Sequence, residues 1–151
     1  FRNYKLSKRK PAEVITTPKD VFNYVGECIY HLPKEEFYII CLDNAHRVIS
    51  HKNISTGGNS QVAIDLQDIV QYAIKMKARR VVVLHNHPTA TCAPSREDIE
   101  TTKRLYINFD LSGIELYDHI IVDRTEDFFS FANNGLLNQY STNFKKMYDE
   151  I

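Results

Sequence analysis

The chain has 151 residues, 43% hydrophobic and 25% charged, which suits one globular domain with a substantial core. Lys plus Arg and Asp plus Glu both total 19, so no global charge draws the chain to nucleic acid or to an anionic membrane. The three cysteines, Cys28, Cys41 and Cys92, form no C-x-x-C pair, which excludes a disulfide framework, a thiol redox motif and a Cys-rich zinc knuckle; with no apolar run of transmembrane length, a reducing cytoplasm is the expected compartment.

Residues 1–13 are polar and basic and read as an N-terminal arm or linker, with one domain over residues 14–151. Thr17-Pro18-Lys19-Asp20 is a helix start: Thr17 can cap, Pro18 suits the first turn and Asp20 suits the positive end of the dipole. Val21, Phe22, Val25, Cys28 and Ile29 continue it as an apolar stripe ending near Leu32-Pro33. Phe37–Leu42 (FYIICL) has the length and composition of a strand, Asp43-Asn44 turns the chain, and Arg47–Lys52 reads as the hairpin partner. Thr56–Ser60 is a loop, and Ile64, Ile69, Val70, Ala73, Ile74 and Met76 predict a helix to about residue 78. The clusters Lys8-Arg9-Lys10 and Lys75–Arg80 read as solvated charge.

Arg80–Leu84 (RVVVL) is built on a β-branched Val run, the pattern of a central strand buried on both faces. Ser95 caps a helix that follows Pro94, and Ile114–Val122 is the next strand. From Asp127 come a short Phe-rich segment, Gly135 and a C-terminal helix. The order helix, hairpin, helix, strand, helix, strand predicts a mixed α/β layered fold.

The chemistry lies in Leu84-His85-Asn86-His87-Pro88, directly after the most hydrophobic strand. Residues two apart on an extended chain share a side, so His85 and His87 can aim both imidazoles at one point. Neutral imidazole is a preferred zinc ligand, and a catalytic zinc takes three protein ligands and leaves one position open. Asp98, in the first turn of the helix after the Pro88–Pro94 loop, is the candidate third ligand. As a group these residues predict a bound Zn²⁺ and metal-assisted hydrolysis.

His-x-His, ten residues, then Asp, with Ser95 three residues before Asp98, resembles the JAMM (MPN-plus) metalloprotease motif. HNHP followed by PSREDIETTKRL, a GI…DHIIV strand and SFANNGLL is similar to the RadC-type JAMM (JAB) domain of bacteria over about residues 17–137. That resemblance implies a curved mixed β-sheet flanked by helices, distantly like cytidine deaminases, although the deaminase signature itself is missing. It implies a zinc metallopeptidase acting on a peptide or protein, with Glu35 as general base and Ser95 supporting the developing oxyanion. Glu35 fits the family register better than Glu36, and because neighbours on a strand face opposite ways only one of the two should act. Ser95 is also a natural N-cap, and capping and catalysis place competing demands on one hydroxyl. His119 reads as a strand residue placed by packing, with a supporting role near the ligands, or a place as an alternative ligand, as the other readings. Cys92 falls in the loop between ligands with no spacing that makes it one.

In many such relatives the helix after the Gly loop begins Pro-Arg-Glu; here the stretch is Leu66-Gln67-Asp68, which removes an Arg and any ligand contact it makes elsewhere in the family. RadC-like proteins carry a DNA-repair label, so a nucleic-acid-associated module is the competing expectation, and a metal-bound interaction domain without catalysis is a third. The balanced charge and unclustered basic residues argue against strong autonomous DNA binding.

Overall fold

In the computed structural model, which describes residues 13–55 and 64–150, the RVVVL run lies at the centre of the sheet. Five strands run in the order β2-β1-β3-β4-β5: β1 Phe37–Leu42, β2 Val48–Asn53, β3 Arg80–Asn86, β4 Glu115–Val122 and β5 Phe128–Ser130. β1 is antiparallel to both β2 and β3, β3 is parallel to β4, and β5 closes the far edge antiparallel to β4. A parallel pair requires a crossover connection. Here the crossover carries α3, Arg96–Leu111, and so takes the chain from the His pair at the end of β3 into the Ser95–Asp98 start.

Both faces of the sheet are covered, which explains why Val81, Val82, Val83 and Leu84 are all completely buried. One face carries the first helix, α1, over residues 18–29. Its Val21, Tyr24, Val25, Cys28 and Ile29 pack on Tyr38, Ile40, Leu42, Val82, Leu84, Ile120 and Val122. The other face carries α2 (Leu66–Lys75), α3 and α4 (Leu136–Asp149), which set Ile69, Ala73, Leu105, Phe109, Leu137 and Tyr140 against Phe37, Ile39, Val81, Val83 and Ile121. The expected mixed α/β sheet flanked by helices is therefore the fold.

Local chemistry sets the boundaries. Thr17 and Asp20 form a reciprocal capping box around Pro18. The first helix is α in Pro18–Val21, π in Phe22–Gly26 and α again in Glu27–Ile29, and it stops before the predicted Leu32-Pro33. Gly26 sits against the Phe22 ring, where an added Cβ would lie 2.9 Å from Cδ2. β2 begins one residue later than predicted: Arg47 instead pairs with Val14 in an isolated antiparallel bridge, and its backbone N–H and Nε donate to Asp43 Oδ1 and Oδ2 at 3.0 and 2.8 Å. α2 is shorter than the 64–78 expectation, starting on an Asp65 cap and ending before Lys77, whose φ is 58°. β5 was not foreseen, its three residues being too few to show alternation. The Thr56–Ser60 loop and residues 1–12 of the N-terminal arm lie outside the described residues; Glu13 already accepts a backbone hydrogen bond from Val48 at 2.8 Å.

Candidate metal centre

The C-terminal end of β3, the entry to β1 and the first turn of α3 meet at one end of the sheet, around a cavity of about 450 Å³. Glu35, Phe37, His85, Ser95, Asp98 and His119 line it. Phe37 pairs with His85 across the sheet and lies flat on its imidazole, with ring centroids 5.2 Å apart. The loop after His87 folds back as the spacing requires: His85 Nε2 is 3.2 Å from Asp98 Oδ1, and His87 Nε2 is 3.0 Å from Asp98 Oδ2. Glu35, His85 and His87 also bring one ligand atom each to within 4.8 Å of one another.

His87 has an acceptor on each side: the Thr91 carbonyl lies 3.2 Å from Nδ1 and Asp98 Oδ2 lies 3.0 Å from Nε2, and neither can donate. One ring proton satisfies only one of them, so a neutral His87 with Nδ1–H turns a lone pair on Nε2 toward Asp98. His85 Nε2 is buried, and although Asp98 is near, it lies off the direction a hydrogen bond needs, so this nitrogen has no hydrogen-bond partner among the described residues. A buried polar atom left so costs about 1–3 kcal/mol. A lone pair turned toward a carboxylate repels it unless positive charge sits between them. A proton is one answer: the hydrogen bond to Asp98 raises the His87 pKa above the ordinary imidazole value, against the opposing effect of burial. A divalent cation is the other, and it would engage His85 Nε2 as well. Burial works to raise the Asp98 pKa, but its contacts with His85 and His87 outweigh that and hold the carboxyl well below the usual range. The donors present thus fit a metal ion.

Glu35 and Glu36 separate as adjacent residues on an extended chain should. Glu35 faces the cavity, while Glu36 Oε1 accepts from the Tyr38 hydroxyl at 3.0 Å and from Asn53 Nδ2 at 3.1 Å. The middle residue of His-Asn-His positions Glu35, a role the sequence reading did not give it. Asn86 is fully buried; its Oδ1 accepts from the Glu36 N–H at 2.7 Å and its Nδ2 donates to the Lys34 carbonyl at 2.9 Å. These two bonds grip the backbone on either side of Glu35. Only the alternation of β3, which turns Asn86 away from its neighbouring histidines, hints at this in the sequence.

Ser95 and Asp98 form a capping box: Ser95 Oγ accepts from the Asp98 N–H at 3.0 Å, and the Ser95 N–H donates to Asp98 Oδ2 at 2.8 Å. Capping uses an oxygen lone pair, which leaves the hydroxyl proton available to donate. The two tasks expected to compete therefore do not. His119 is the main correction. It is fully buried beside the histidine pair, with Nε2 2.8 Å from His85 Nδ1, and is not simply a packed strand residue. Burial, reinforced by His85, holds its pKa well below the ordinary value, so it is neutral. Cys92 instead groups with Asp123 and Asp127.

A mixed α/β sheet whose central strand ends in His-x-His, with a capped carboxylate opening the next helix beside it, is the arrangement of the JAB (MPN) class of domains. The RadC-like JAB domain model matches residues 15–136, and the chain belongs to that family. It is 34% identical over 138 residues to a UPF0758 protein of Porphyromonas gingivalis, covering 87% of this chain and 61% of the relative. A UPF0758 protein of Geobacter sulfurreducens is 36% identical over 126 residues, covering 83% of this chain and 55% of the relative. One of Staphylococcus carnosus is 38% identical over 108 residues, covering 72% and 48%. The chain thus spans about half to three-fifths of the length of these relatives.

Proposed function

We propose that this domain is a metal-dependent hydrolase that binds Zn²⁺ through His85, His87 and Asp98 and cleaves an amide, as a peptidase or isopeptidase. The supporting observation is the proton inventory of the histidine pair. His87 has Nδ1 committed to a backbone carbonyl, His85 has Nδ1 against another buried imidazole, and both Nε2 atoms face one carboxylate. Two imidazoles and a carboxylate with space beside them are a donor set that suits zinc. When bound, such an ion supplies Lewis acidity to a carbonyl oxygen and makes water a stronger acid.

The chain's own residues supply the rest. Glu35, on the cavity and gripped by Asn86, takes the proton of the attacking water and returns it to the leaving amine. Ser95, its lone pair engaged by the Asp98 N–H, donates its hydroxyl proton to the oxygen that gains charge. Family membership supports the reaction class, and the neutral net charge favours this reading over a nucleic-acid module. No helix among the described residues is long and apolar enough to cross a membrane.

The test is hydrolysis of a peptide library by the zinc-loaded domain and by Glu35→Gln. Loss of turnover by about 10²–10⁴-fold with zinc content unchanged is expected. Turnover equal in both would remove Glu35 as the base. No cleavage by either, with zinc bound, would favour a metal-bound interaction domain.

A further inference from the structure

Behind the histidine pair a chain of buried polar groups runs back to the helix that carries Asp98. His85 Nδ1 meets His119 Nε2 at 2.8 Å, His119 Nδ1 meets Thr102 Oγ1 at 2.6 Å, and Thr102 Oγ1 meets the Asp98 carbonyl at 2.6 Å. His85 is 2% exposed; His119 and Thr102 are fully buried, so water cannot substitute for any link. Thr102 lies four residues after Asp98, one turn along the same face of α3. His119 reaches the site through an irregularity in β4. The pairing with β3 passes from Val81–Leu116 to Val82–Asp118, so Tyr117 is an extra residue. This bulge reverses the alternation, and Leu116 and His119, three apart, come to share a face. Without it His119 would point to the α1 side. Phe131 stacks on the His119 ring at 4.7 Å and fixes its plane.

One hydroxyl proton sets the direction of the whole chain. The Asp98 carbonyl can only accept, and at 2.6 Å a Thr102 hydroxyl turned elsewhere would press two oxygen lone pairs together. The proton therefore points at that carbonyl. Thr102 Oγ1 then accepts from His119 Nδ1–H; His119, its ring proton on Nδ1, accepts at Nε2 from His85 Nδ1–H; and His85 is left with its lone pair on Nε2, the buried nitrogen without a hydrogen-bond partner among the described residues. We propose that His119, oriented by Thr102, is a positioning residue that holds His85 in the Nδ1–H tautomer and thereby presents Nε2 to the metal ion. The proposal rests on the reading of His85 as a ligand. It makes the backbone carbonyl of one ligand, Asp98, the group that fixes the proton on another.

The test combines two readouts on the 151-residue chain: long-range ¹H–¹⁵N spectra of its histidines without metal, and zinc affinity by chelator competition. Wild type is expected to show Nδ1–H at both His85 and His119. In Thr102→Val and His119→Phe, His85 should lose its single tautomer and zinc affinity should fall about 10–100-fold. Thr102→Ser, which keeps the hydroxyl, should restore both, and it carries the test should the bulkier change at His119 prevent folding. An Nε2–H tautomer at His85 in wild type would overturn the proposal, as would variants that bind zinc as tightly as wild type. A wild-type chain without zinc affinity would instead overturn the metal reading, which separates the two failures.

Discussion

In the proposed function the Ser95 hydroxyl is asked to serve both stability and chemistry. Its oxygen accepts the Asp98 N–H, and its proton is the one that the proposed reaction gives to a substrate oxygen. Ser95→Gly should therefore divide the two contributions. As an N-cap, Gly costs only a few tenths of a kcal/mol relative to Ser, so the melting temperature should barely move. Loss of the oxyanion donor should lower kcat by about 10²-fold, measured by steady-state hydrolysis. An unchanged kcat would reduce Ser95 to a cap. At this scale the sequence was legible where spacing determines direction. His85 and His87, two apart on a strand, share a side, and the Glu35/Glu36 pair must split. It was not legible at His119, because the bulge at Tyr117 that turns this residue inward leaves no trace in composition or period.

Among the elements, β3 supplies both the floor and the grip of the site. Its odd positions present Val81, Val83 and His85 to the face of α2, α3 and α4, while Asn86 reaches the other way to the 34–36 backbone. Asn86→Ala should leave zinc content intact and cost about 1–3 kcal/mol in denaturant titration, because the Lys34 carbonyl and Glu36 amide lose buried partners. Glu35 would then be held less closely, and displacement of a catalytic group by about 1 Å can cost 10²-fold in turnover. Wild-type turnover in Asn86→Ala would show that the grip has no part in catalysis. FYIICL and RVVVL declared themselves as strands through β-branched and aromatic runs at strand length. The capped helix starts at Thr17 and Ser95 were equally plain, because capping is local chemistry. The π turn in the first helix and the three-residue β5 were not, since each depends on packing partners distant in the chain.

The molecule as a whole places a polar, charge-dense cluster at the end of a sheet whose two faces are otherwise apolar. α1 closes one face and three helices the other, so His85 and Asp98 are set against packed layers, while one end of the sheet keeps a cavity. The central question is whether the histidine pair and carboxylate gather around a cation or around a proton. Elemental analysis of the purified domain beside His85→Ala tests this most directly. About one zinc per chain in wild type, lost in the variant, is the result predicted by a catalytic site of three protein ligands. Equal metal content in the two proteins, or none in wild type after zinc loading, would contradict it.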